Sequence, residues 1–501
     1  MTSGAAGRLT GCGERCWTMA ESNECISMRS ILKTPVTFAL AMLVAASLPA
    51  AAATPAAVAP AAITAPSGRV ISKGEYVAIA ADCAACHTSK GGAPFAGGYA
   101  IKSPMGVIWA TNITPSRQFG IGNYTLEQFS RAIREGVTPD GRHLYPAMPY
   151  TAYAMMTDED TAALYQYIMQ EVKPVELASK TTALPFPFSI RASMTGWNAI
   201  YATNKPFVAD TSKSVEYNRG RYLVNGLAHC SACHTARTFL MGEDVSRPLG
   251  GGSLGAWYAP NISADKANGI GGWSDAELYS YLKTGHAAGK AQAAGPMAEA
   301  VENSLQYLRD ADLRAIVTYL KQTPAVTGGE AQPRYAAGRP SMDEFSLRGN
   351  AVDKVDPGWK VYTGTCAACH GAQGEGAQGY PSLFHNTTAG ADRSDNLVAT
   401  ILYGVQRRVG GRDVAMPAFG PDAGYTERLS DQQVADVANY VLKNFGQAKP
   451  DVTPQSVASM RAGGPTPSLI WLTRYGIPAA IVLLVALALV LVLRSRKGKQ
   501  S

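Results

Sequence analysis

An all-α architecture is expected: three tandem modules of about 100 residues each, then one apolar helix near the C-terminal end. Three observations lead there. A five-residue cysteine–histidine motif occurs three times along the 501 residues. After each copy come stretches whose apolar residues recur at spacings of three and four, the helical period. Strand signals are scarce, and the uncharged run Ile477 to Leu493 stands just before a basic tail.

The motif copies are Cys83-Ala84-Ala85-Cys86-His87, Cys230-Ser231-Ala232-Cys233-His234 and Cys366-Ala367-Ala368-Cys369-His370. On a helix, residues three and four apart share a face. The two thiols of each copy can therefore meet the two vinyl groups of one porphyrin. The histidine one turn on then reaches iron from the same side. A redox dithiol would leave three adjacent histidines unexplained. A zinc site would draw on two neighbouring CxxC pairs, and these lie far apart in sequence. The motifs therefore predict three covalently bound haem c groups, held by Cys83, Cys86, Cys230, Cys233, Cys366 and Cys369, with His87, His234 and His370 on iron. The modules read as three tandem cytochrome c domains.

Each iron needs a second axial ligand or stays open. In the third module, up to the linker near Pro450, the only methionine is Met416, in Ala-Met-Pro. The second module offers Met241 and Met297. Met241 stands too near His234 to wrap the ring, which leaves Met297, in Gly-Pro-Met. The first offers Met105, Met148, Met155, Met156 and Met169, of which Met148 shares the proline-flanked setting, in Tyr-Pro-Ala-Met-Pro-Tyr. A proline-stiffened loop presents a thioether at fixed geometry, so loops are expected to carry the three methionines. Met148, Met297 and Met416 are thus the expected sixth ligands. His143, His229, His286 and His385 share no position across the modules and read as structural or surface residues.

The modules repeat beyond the motif. Thr111-Asn112-Ile113-Thr114 and Ile121-Gly122-Asn123-Tyr124-Thr125-Leu126 in the first match Pro260-Asn261-Ile262-Ser263 and Ile270-Gly271-Gly272-Trp273-Ser274-Asp275 in the second. Helices are expected over Glu127 to Glu135 and Ala276 to Thr284, capped by Thr125 and Ser274, and near Asn396 to Tyr403 in the third. Each module closes with an amphipathic helix: Leu164, Tyr165, Ile168; Leu313, Ile316, Val317, Leu320; Val434, Val437, Tyr440, Val441. These are expected to pack on the CxxCH helix. The resulting domains span 68–171, 216–324 and 353–446, with connectors at 172–215, 325–352 and 447–468. Pro185-Phe186-Pro187-Phe188 is too apolar for a free linker and reads as a docking segment for a partner.

Composition agrees with packed cores, at 46% apolar and 17% charged residues. The net charge of +7 is spread along the chain, and no basic run would track phosphates, which excludes nucleic acid. Met28-Arg29-Ser30-Ile31-Leu32-Lys33, the apolar run Val36 to Leu48 and the small residues Pro49 to Ala53 read as a signal peptide over 28–53. The first 27 residues, with Cys12, Cys16 and Cys25, do not suit one and read as a misplaced start upstream of Met28. The uncharged run gives about 26 Å of helix, the bare minimum for a span. Trp471 and Tyr475 precede it and Arg494, Arg496, Lys497 and Lys499 follow it. Such flanks predict a transmembrane helix over 470–493 and a cytoplasmic tail over 494–501, with the body on the periplasmic side of a bacterial inner membrane.

From Met28 onward the chain resembles the tri-haem cytochrome c subunit of bacterial membrane-bound dehydrogenases. The likeness rests on the string Asp82 to Thr88, on Ile121 to Phe129, on Leu144-Tyr145-Pro146-Ala147-Met148-Pro149-Tyr150 and on Ala415-Met416-Pro417-Ala418-Phe419-Gly420. It implies a non-catalytic electron-transfer subunit, with FAD or pyrroloquinoline quinone (PQQ) only on a catalytic dehydrogenase partner. Flavoprotein partners oxidise gluconate, fructose or sorbitol, and quinoprotein partners oxidise primary alcohols. The C-terminal span favours the FAD branch. The resemblance also implies a small third subunit and ubiquinone as electron acceptor. The rival from another class is a haem enzyme with one open iron, for which the second module, with Met297 and nearby His286, is the place to look.

Overall fold

The computed structural model describes residues 63–64, 68–202, 205–329, 332–343, 355–377, 379–446 and 451–497. The expected signal peptide and the three N-terminal cysteines lie outside them. Residues 59–501 form one compact unit.

Three helical modules follow one plan. A leading helix, Lys73–Ala80, Val215–Tyr222 or Pro357–Val361, runs into the CxxCH turn. A middle helix follows at Leu126–Glu135, Asp275–Thr284 or Asp395–Tyr403. A closing helix ends the module at Asp158–Gln170, Asp310–Leu320 or Asp431–Phe445. The expected caps are in place. Thr125 and Ser274 each form a reciprocal capping box, with Gln128 and Glu277.

The closing helices do not pack on the CxxCH turns as expected. Each crosses the leading helix instead. The CxxCH segment is about one turn long and has no face to offer, whereas the leading helix carries a glycine at the crossing. A side chain added at Gly74 would stand 2.0 Å from Ala163 O, at Gly220 1.9 Å from Ala315 O, and at Gly358 2.2 Å from Asp436 O. Tyr167, Tyr319 and Tyr440, one turn further along the closing helices, flank the same glycines. Bare backbone there lets the two helices touch, and the tyrosine covers the gap. Leu164, Ile168, Leu313, Ile316, Val434, Val437 and Val441 are all buried behind these crossings.

The chain is helix-rich but carries five two-stranded antiparallel pairings among the described residues. With two to five residues per strand, none is long enough for alternation to show in the sequence. The best formed joins Val405–Val409 to Arg412–Met416 through Gly410 and Gly411, both at positive φ. Glycine pairs fit such two-residue turns.

The middle module packs against both of the others. Toward the first, the phenol of Tyr76 donates to Asp312 and that of Tyr222 to Asp160. Toward the third, Tyr258 and Asn396 exchange two hydrogen bonds at 2.8 and 2.9 Å. The side chain of Gln306 pairs with the backbone of Arg408 and Gly410. The helix Gly295–Asn303 of the middle module contacts both the first CxxCH turn and the strand Val405–Val409.

The segment around Pro185 to Phe188 lies on its own chain rather than free. Leu184 is buried, Thr182 Oγ1 accepts from Trp109 N, and Tyr145 Oη donates to Phe188 O. Pro185 and Phe186 stay exposed, Phe186 at 77%. After the third module, Ser468–Leu491 is long and apolar enough to cross a membrane; Ile470 near its start is buried, while its most apolar 18-residue window is not buried against the rest.

Candidate haem sites

Irregular backbone separates each CxxCH turn from its leading helix. Asp82 and His229, the residues before Cys83 and Cys230, adopt left-handed backbone with φ of 52° and 38°. A π-turn stands there at Leu223–Leu227 in the second module and at Tyr362–Cys366 in the third. The three histidines then share one hydrogen bond. His87 Nδ1 lies 2.7 Å from Thr111 O, His234 Nδ1 2.6 Å from Pro260 O, and His370 Nδ1 2.9 Å from Pro381 O. Since a carbonyl only accepts, Nδ1 carries the proton and Nε2 keeps its lone pair for a metal. Burial lowers the pKa of all three rings, against the carbonyl contact that raises it, so they are neutral and ready to ligate.

This gives the repeated Asn-Ile motif a role that its sequence did not reveal. The carbonyl just before Asn112 or Asn261 holds the histidine, and the asparagine fixes that carbonyl's strand. Asn112 Oδ1 accepts from Thr114 N, and its Nδ2 donates to Val175 O and Leu177 O. Asn261 does the same with Ser263 N and Val326 O.

None of the six motif cysteines is in a disulfide. Burial pushes Cys83, Cys230 and Cys366 up to about 12 and Cys86 up to about 11, and raises Cys233. Such thiols make poor redox dithiols, which need a stabilised thiolate.

A single cavity of about 920 Å³ joins the second and third sites. Cys230, Cys233, His234 and Met297 line one part, and Cys366, Cys369, His370 and Met416 another. Ile262, Leu278, Leu305, Ile316, Leu397 and Val437 make much of the wall apolar. Met297 stands in the first turn of Gly295–Asn303, with Pro296 ahead of it, and Met416 ends the strand Arg412–Met416. Both therefore sit on regular elements rather than in loops. In the first module Met148 packs, half-buried, against the same core as Cys83 and Ala84. A flat apolar cofactor with two vinyl groups and an iron fits this donor set of paired thiols, a neutral imidazole and a thioether around an apolar cavity.

The remaining histidines have other surroundings. His143 Nδ1 contacts Asn198, His286 Nδ1 contacts Gln292, and His229 lies edge-on to Tyr153. Burial lowers His229 to about 4. Sequence reading gave Asp82, the first residue of the string Asp82 to Thr88, no role of its own; it lines the cavity. Burial first, then the Glu299 charge, raises its pKa to about 8.

The description of cytochrome c as a family matches residues 71–171, 218–324 and 355–444. The chain belongs to the cytochrome c family. Among its relatives is the fructose dehydrogenase cytochrome subunit of Gluconobacter japonicus, 53% identical over 405 residues, covering 79% of this chain and 83% of the relative. The gluconate 2-dehydrogenase cytochrome c subunit of Pantoea cypripedii is 39% identical over 407 residues, covering 78% and 89%. The cytochrome c subunit of the quinone-type alcohol dehydrogenase of Gluconobacter oxydans (strain 621H) is 37% identical over 416 residues, covering 80% and 84%. This cytochrome has three haem c domains, and its role is electron transfer.

Proposed function

We propose that this cytochrome is the electron-carrying subunit of a dehydrogenase complex anchored in the bacterial inner membrane, passing electrons from a catalytic flavoprotein through its three haems to ubiquinone. The observation that carries the reading is the threefold pairing of a CxxCH histidine, its Nδ1 tied to a carbonyl, with a methionine in the same module. Bound haem c supplies a one-electron carrier. The chain's own part is to hold and tune it. Cys83 and Cys86, Cys230 and Cys233, and Cys366 and Cys369 give thioether tethers. His87, His234 and His370 would hold iron through Nε2, and Met148, Met297 and Met416 would hold it through sulfur. Soft sulfur favours ferrous iron and raises the potential, and apolar walls keep water away. An iron held by both a histidine and a methionine would offer no open position to a substrate, and bond chemistry would stay with the partner subunit.

The higher identity to the fructose dehydrogenase subunit than to the alcohol dehydrogenase subunit favours an FAD partner over a PQQ one. The exposed apolar helix Ser468–Leu491 supports an anchor, with the haem domains periplasmic and the basic end cytoplasmic. A small third subunit completes the complex. Purification from membranes in mild detergent tests this reading: a flavoprotein that reduces all three haems on addition of its sugar substrate is expected to travel with the chain. A chain that never co-purifies with a catalytic subunit would overturn it.

A further inference from the structure

Arg407 belongs to the third domain but ends inside the second. It lies on the strand Val405–Val409 and is 2% exposed. Its Nε donates to Thr284 O at 3.2 Å, Nη1 to Ala293 O at 2.8 Å, and Nη2 to Gln292 Oε1. These acceptors bracket the short hairpin His286–Ala287/Ala291–Gln292, immediately ahead of Gly295-Pro296-Met297. Room for the guanidinium comes from Gly285, where an added side chain would stand 2.7 Å from Arg407 Nε.

No carboxylate among the described residues pairs with this charge, whereas the neighbouring Arg408 pairs with Asp413. Burial lowers its pKa, and only the Tyr281 phenol opposes that. An ionised group taken out of water without a counter-charge costs several kcal/mol. Three acceptors occupy three of the five guanidinium hydrogens, leaving two donors and the full charge at the wall of the cavity that His234, Met297, His370 and Met416 share. Asp82, Asp392, Asp395 and Asp413 line the same cavity, but Asp395 pairs with Arg393 and Asp413 with Arg408, and none of the four pairs with Arg407 among the described residues. Haem c would bring two propionate carboxylates, the class of anion that could.

We infer that Arg407 is a positioning and tuning residue supplied across a domain boundary: it pins the segment that carries Met297 and sets a positive charge beside the haem of the second domain, which raises that haem's reduction potential. The sign follows from charge alone. Reduction removes one positive charge from the iron centre, so a fixed cation nearby favours the reduced form, and neutralising a propionate acts in the same direction. The inference rests on the reading of the second domain as a haem site closed by His234 and Met297.

Redox titration of the full chain in its detergent-solubilised complex, followed optically, tests it. Mass and haem content of the unaltered chain are measured first, so failure of the haem reading is seen before any substitution is judged. Met297→His, which removes the sulfur ligand, identifies the second domain's midpoint. Arg407→Gln is expected to lower that midpoint while the other two move less. Arg407→Lys, which keeps the charge, and Gln292→Ala, which removes one bond of the pin, are expected to leave it near the original value. Three unmoved midpoints in Arg407→Gln would overturn the proposal. So would Arg407→Lys falling as far as Arg407→Gln, since the effect would then be packing alone. Should Arg407→Gln lose its second haem, the Arg407→Lys midpoint decides: retained supports the proposal, lowered overturns it.

Discussion

Tyr76 in the first leading helix donates to Asp312 in the second closing helix, and Tyr222 in the second leading helix returns the bond to Asp160 in the first. Both acceptors stand at the third position of their helices. The first two domains are thus joined by a reciprocal exchange between equivalent positions. A basic residue completes each side: Lys73 with Asp160 at 2.8 Å and Arg219 with Asp312 at 2.7 Å.

Acid is expected to loosen this seam. Burial alone would raise the Asp312 pKa, but hydrogen bonds from Arg219, Tyr76 and Arg309 hold it at about 2. A carboxyl depressed on folding contributes stability that is complete above its unfolded value, about 4, and is lost as pH falls through 2. The contribution is on the order of 2 kcal/mol. Unfolding measured between pH 5 and pH 2 should show this acid limb, and Asp312→Asn should abolish it while lowering stability at neutral pH by about 3 kcal/mol or more. An unchanged acid limb in that variant would contradict the assignment.

The helix crossings should tolerate no side chain. Gly220→Ala places a methyl carbon 1.9 Å from Ala315 O and is expected to cost about 3 kcal/mol or more. Gly196→Ala, in the helix Ser193–Tyr201 with nothing within 4 Å, is the control and should be neutral or slightly stabilising. Thermal melts of the two variants check this.

Carbon monoxide reports on closure of the iron. The reduced unaltered chain is expected not to bind it, and Met416→Leu, apolar and unable to ligate, should bind one equivalent and lose potential at one haem. Rapid stoichiometric binding by the unaltered chain would instead favour a haem enzyme. A silent Met416→Leu would remove Met416 from the ligand set.

Removing residues 468–501 should move the protein from the membrane fraction to the soluble fraction with its three haems retained, as judged by fractionation and absorbance. Persistence in the membrane after this truncation would show that another element holds it there.

Much of this was legible in the chain. CxxCH is a local signal, its spacing fixed by one helical turn, so the candidate sites could be named without any tertiary knowledge. The Thr125 and Ser274 caps were readable for the same reason. Met297 and Met416 emerged by elimination within each module, although both sit on regular elements where loops were expected. The hairpins escaped because two to five residues carry no periodicity, and the Gly410-Gly411 turn was the one overlooked cue. Partners distant in sequence were beyond reach: nothing around Tyr76 announces Asp312, and nothing around Arg407 announces Ala293. The glycines at the crossings were visible as letters only, since what a glycine admits depends on the helix that comes to meet it.

The middle domain's two seams also determine how current can pass within the molecule. With Tyr76 and Tyr222 fastening one side and Asn396, Arg407 and Gln306 the other, the separations between redox centres are built into the packing. No tethered arm must swing to complete the circuit, so internal hand-off should be indifferent to solvent viscosity, and only arrival of the donor and departure to the acceptor should slow in glycerol.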